Sequence, residues 1–133
     1  MTASRQEIKD VLDRVANLRE PDRDVELAVW NVVSTQGRWA WHARHETIHQ
    51  IASSDGRYGY GICSLERLTS SINDVLSFAH YADLHSLELL EKGLARVKLL
   101  PRHLYDQDYD VQFFLCRDML MVILEHCLEK ASA

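Results

Sequence analysis

The sequence predicts a helix-rich α+β fold with about five or six helices and a small antiparallel sheet of two to three strands. Apolar residues recur at helical spacing behind polar caps in several stretches, and a shorter stretch at 58–63 alternates as a strand does. Hydrophobic residues make up 47% and charged residues 26%, with only five Gly and two Pro, a balance that excludes disorder and low-complexity linkers. The 133 residues suffice for a single domain, 1–133, whose core can form without a metal or disulfide staple.

Ser4 followed by Glu7 is a capping-box pattern, and Ile8, Val11, Leu12, Val15 and Leu18 continue it as a helix over about 4–18. Pro21 ends that helix and fits the start of the next, where Asp24 and Glu26 suit the positive N-terminus. Val25, Ala28, Val29, Val32 and Val33 form the second apolar stripe, up to about Ser34.

Residues 39–52 contain no Gly or Pro, and Trp41, His45, Ile48 and Ala52 share one helical face, so a helix is predicted there. A strand is the alternative, because Asp55-Gly56 is a hairpin-turn signal and Tyr58 to Cys63 reads as a strand just beyond it. Thr69, Ser70 and Ser71 offer hydroxyl caps to a helix carrying Ile72, Val75, Leu76 and Ala79, to about Tyr81. A short helix over 83–92 is predicted to stop at Gly93, and 94–99 then alternates apolar and basic residues as an edge strand able to pair with 58–63. Asp110 is the expected cap of a long last helix, denser in apolar residues than one stripe needs, which suits either the centre of the domain or a homodimer interface. Val29, Val33, Ile72, Leu76, Leu120, Ile123 and Leu124 are the expected core.

Twenty acidic against fifteen basic side chains give a formal charge of −5, which argues against non-specific nucleic-acid binding and favours a partner with a basic surface. Cys63, Cys116 and Cys127 lack any Cys-x-x-Cys spacing, so free thiols in a reducing, cytoplasmic setting are expected. No stretch approaches the roughly 18 apolar residues of a membrane span.

His45-Glu46-Thr47-Ile48-His49 matches H-E-x-x-H, in which two histidines one helical turn apart hold zinc and the Glu activates its water. The alternative functional reading is therefore a zinc-dependent hydrolase using His45, Glu46 and His49; the leading reading has no cofactor. The extended metzincin pattern fails at Ala52 and Asp55, and the candidate third ligands His80, Asp83, His85 and Glu88 follow no recognised spacing. Glu46 and His49 make one E-x-x-H pair where a di-iron bundle needs two. Cys63 follows a Gly-containing strand, but no base is marked for it.

Pro21-Asp22-Arg23-Asp24-Val25-Glu26-Leu27-Ala28 and Leu68-Thr69-Ser70-Ser71-Ile72-Asn73-Asp74-Val75-Leu76 resemble segments of small prophage proteins grouped as phage alpha-beta-alpha sandwich domains. Asn73 stands where those proteins carry an acidic residue. The resemblance implies a phage accessory protein, a class that includes inhibitors of host defence such as anti-CRISPR proteins, and assigns no catalytic residue. The expected activity is stoichiometric binding to a host protein or complex. Tyr105, Asp106, Asp108, Tyr109 and Asp110, acids interleaved with aromatic anchors, form the candidate partner-binding patch. A structural homodimer through the last helix is a second alternative.

Overall fold

A computed structural model describes residues 3–34, 37–42, 44–52, 61–101, 103 and 108–132. Among them the fold is helix-rich α+β, with five α-helices and one three-stranded antiparallel sheet.

Helix α1 (Arg5–Ala16) is capped by Ser4, whose side chain accepts from the Glu7 N–H at 3.1 Å, and it buries Ile8, Val11 and Val15. Asp22 caps α2 (Arg23–Val33) by accepting from the Asp24 and Val25 N–H groups. Ser71 caps α3 (Ile72–Phe78), which runs into a 3-10 turn, Ala79–Ala82, closed by Asp83 in left-handed geometry at φ 57°.

Helix α4 spans Ser86–Val97, beginning later than the predicted 83, and takes its cap from His85. The predicted stop at Gly93 and the strand at 94–99 are overturned together, since Gly93 lies inside the helix and 94–97 complete it. The reason is interhelical. A Cβ on Gly93 would stand 2.5 Å from Met119 Cγ and 3.1 Å from Leu115 Cδ1, so the glycine serves close approach of α4 to α5.

Helix α5 (Asp108–Ser132) is the spine. It packs chiefly on α1 and α4 and also meets α3, the 3-10 turn and α2, which explains its apolar density: residues 113–120 are all buried. It begins at Asp108, so Asp110 sits within its first turn and is not its cap. Of the expected core residues, Val29, Val33, Leu120, Ile123 and Leu124 are buried, whereas Ile72 and Leu76 are half-buried at the margin. No helix among the described residues is long and apolar enough to cross a membrane.

The predicted helix over 39–52 is instead a hairpin of β1 (Arg38–Trp41) and β2 (Thr47–Ala52), with Trp41 opposite Ile48 and Ala40 opposite His49. Strand β3 (Ile62–Ser64) pairs antiparallel with β2, giving the order β1-β2-β3. Residues 58–60 of the predicted strand and the Asp55-Gly56 turn lie outside the described residues. Trp39 and Ile48 are buried on the inner face, where the Trp39 ring meets Trp30 of α2 edge to face at 5.9 Å. A Cβ on Gly61 would lie 3.0 Å from Trp39 Cη2, which keeps that position small.

Candidate functional site

The hairpin disperses the H-E-x-x-H motif. On a helix its histidines would project from one face, but here His45 and Glu46 occupy the turn after β1 and His49 lies within β2. The His45 ring packs at a tilt against Trp41 at 4.7 Å, with its Nε2 3.4 Å from Asp24 Oδ1. Glu46 accepts from Arg67 Nη2 at 2.6 Å, and its backbone carbonyl accepts from the Leu65 N–H. The His49 ring packs on His42 at 5.4 Å. Each member of the motif thus faces a different neighbour, and among the described residues no three His, Cys, Asp or Glu side chains gather in a way that could hold a metal ion.

The residues suggested as a third ligand are also occupied. His85 caps α4, His80 Nδ1 contacts the Ser77 carbonyl at 2.6 Å, Asp83 pairs with Lys130 at 2.9 Å, and Glu88 pairs with Lys92 one turn along. Burial, reinforced by the nearby Glu66 carboxylate, raises the Cys63 thiol above its ordinary pKa. That shift leaves Cys63 a poor nucleophile. All three cysteines are free thiols.

What holds the hairpin in place is a clasp at the start of α2. The Glu26 carboxylate, 1% exposed, accepts from the Thr69 N–H and hydroxyl at 2.6 Å each and from Arg23 Nη1 at 2.5 Å. Arg23 reaches three carbonyls besides, donating Nε to His45 and its terminal nitrogens to Glu66 and Leu65. Its guanidinium also lies 5.4 Å from the Trp41 ring, whose Nε1 donates to Asp24. One guanidinium therefore ties α2 to the hairpin turn and to the segment leading into α3. The sequence reading missed this clasp, although Arg23, Glu26 and Thr69 all lie within the two segments that carry the phage-family resemblance. In space those segments meet each other, at Asp22 and Glu26 against Thr69.

Searches of family models, curated proteins and solved structures find no match for this chain. The assignment of a site therefore rests on the geometry.

The outer face of the sheet stands out in that geometry. Ala40, His49 and Ile62 align across the three strands, and Ile51 follows His49 on the same face. Ile51 is 47% exposed and Ile62, opposite His49, is 60% exposed, two β-branched residues placed diagonally on one sheet face. The span 38–67 carries four arginines against three acids and three of the seven histidines, so the acidic surplus belongs to the helical segments. Of the sequence-predicted patch, Tyr105 and Asp106 lie outside the described residues. Asp108, Tyr109 and Asp110 form the first turn of α5, and their side chains are likewise outside the description.

Proposed function

We propose that this chain is a small phage-type accessory protein that works by stoichiometric binding to a host protein or complex, as an inhibitor of host defence of the anti-CRISPR kind. The observation that carries the binding reading is the sheet face that presents Ile51 and Ile62 to solvent, because exposed apolar side chains on one sheet face are the raw material of an interface. The −5 charge, concentrated in the helical segments, favours approach to a partner with a basic surface, while the sheet supplies the apolar contact. The tyrosine and aspartate segment 105–110 belongs to the same proposal as a steering element. The phage setting rests on the two sequence segments described above, and a cytoplasmic site of action suits three free thiols.

The zinc-hydrolase alternative loses its helical geometry with the hairpin, and nothing in the placement of His45, Glu46 and His49 favours it. The homodimer alternative relied on spare apolar surface along the last helix, and α1 and α4 of the same chain use much of that surface.

The test is capture of a partner from a bacterial lysate, followed by titration of the captured complex's activity. Inhibition complete at one equivalent, and lost in Ile62→Asp with the thermal midpoint retained, is the expected result. Inhibition at substoichiometric amounts would mean turnover and would sink the binding reading.

A further inference from the structure

We propose that Glu66 is a proton-operated latch on the junction between β3 and α3, closed while its carboxyl carries a proton and loosened when that proton leaves. The inference stands apart from the protein-binding reading, because the latch is read on the protein alone.

Glu66 lies in the connection from β3 to α3, and its main chain is held from three sides. Its carbonyl accepts from Arg23 Nη1 at 3.1 Å, the preceding Leu65 N–H donates to the Glu46 carbonyl at 2.9 Å, and the following Arg67 N–H donates to Asp74 Oδ2 at 2.8 Å. The side chain is less well provided for. Its Oε2 atom is buried and has no hydrogen-bond partner among the described residues. A carboxylate oxygen without a donor is costly in such a place, and a neutral carboxyl costs far less. The titratable groups around it are Cys63 on β3, Asp74 at the start of α3 and His80 in the 3-10 turn. The guanidinium groups of Arg23 and Arg67 are committed to Glu26 and Glu46. Burial, and then the like-charged Asp74, push the Glu66 carboxyl above its ordinary pKa, while His80 opposes them. The closed junction therefore holds this proton more tightly than the open one. Closure is strongest below the ordinary carboxyl value and weakens as pH rises through the raised one. To reach water, Oε2 must leave the packed junction, and the Leu65 and Arg67 N–H bonds on either side report that opening.

Hydrogen exchange of the full chain, corrected for the intrinsic pH dependence of exchange, is followed from about pH 4.5 to about pH 7.5 on peptides covering 62–70 and 113–124. Protection of 62–70 should fall at least about threefold across that range in the parent protein and stay level in Glu66→Gln, with 113–124 unchanged in both. The carboxyl carbon resonance of Glu66 gives the titration directly. Its midpoint should lie above the ordinary 4.5, move down in Asp74→Asn, which keeps an acceptor for the Arg67 N–H, and move up in His80→Gln. Level protection of 62–70 in the parent, an equal fall in Glu66→Gln, or a fall spread equally to 113–124 would each overturn the proposal. So would a Glu66 midpoint at or below 4.5, or one indifferent to both neighbours.

Discussion

One oxygen of the buried Glu26 carboxylate accepts both the N–H and the hydroxyl of Thr69, each at 2.6 Å, while the other oxygen takes Arg23. A carboxylate held this way is tolerable at 1% exposure only because its oxygens are satisfied from three directions. Glu26→Ala should therefore strand both Thr69 donors and the Arg23 charge and cost about 3–5 kcal/mol. Urea denaturation measures this, and Thr69→Ser, which keeps the hydroxyl, should retain most of the stability. A loss below about 1 kcal/mol for Glu26→Ala would place the clasp outside the stabilising core of the fold.

Gly93→Ala separates two opposed effects. On an exposed helix the change should stabilise by about 0.5–1 kcal/mol. Here the new methyl meets Met119 Cγ and Leu115, so a net loss of about 1–3 kcal/mol is expected, read from the urea midpoint.

Leu120 is fully buried in the middle of α5, and truncation to alanine should cost about 2–5 kcal/mol with the denaturant slope unchanged. A loss below about 0.5 kcal/mol would contradict its place in the core.

Ser34 is 2% exposed and its hydroxyl oxygen has no hydrogen-bond partner among the described residues. Replacing it with alanine removes an unsatisfied polar atom, so Ser34→Ala should be neutral or stabilising by up to about 1 kcal/mol, the reverse of the usual effect of a core truncation. Differential scanning calorimetry gives the sign.

Burial pushes the Cys116 thiol up to about 12, from 9.0 in the open, with Glu26 and Asp74 adding in the same direction. The folded state thus holds this proton more tightly than the unfolded chain. Stability is complete below the unfolded value and declines as pH rises toward the folded one, by up to about 1.4 kcal/mol per unit. Between pH 8.5 and 11 the urea midpoint should fall more steeply in the parent protein than in Cys116→Ala. Parallel curves would mean that Cys116 ionises equally in both states.

Much of the helical layer was legible because its signals are local. Ser4 and Ser71 cap where hydroxyls precede apolar periods, and the stripe Val25, Val29, Val33 buries one face of α2. The errors fall where a distant partner decides. Gly93 reads as a stop until Met119 is seen against it, 26 positions away. The run 39–52 has helical spacing by coincidence, and it becomes a hairpin whose inward side chains include the buried Trp39 and Ile48, with Trp39 against Trp30. The alternation of Trp39 with Trp41, together with the turn signal at Asp55-Gly56, was the available clue. The motif at 45–49 failed for the same reason, since its chemistry presupposes a helix that the tryptophans override. Arg23, Glu26 and Thr69 looked like ordinary capping residues, because nothing local says that positions 43 apart will share a carboxylate.

The central position of α5 has a consequence for synthesis. The helices and sheet that precede it have their main apolar counterpart in the segment made after them, so a chain emerging from the ribosome exposes Ile8, Val15, Leu89 and Val97 until 113–124 is released. Local helices can flicker in the nascent chain, but closing α1 onto α5 spans almost the whole sequence and carries the entropy of that long loop. Folding is therefore governed by the synthesis of α5 itself. A premature stop within α5 should yield an aggregation-prone species and not a smaller functional domain.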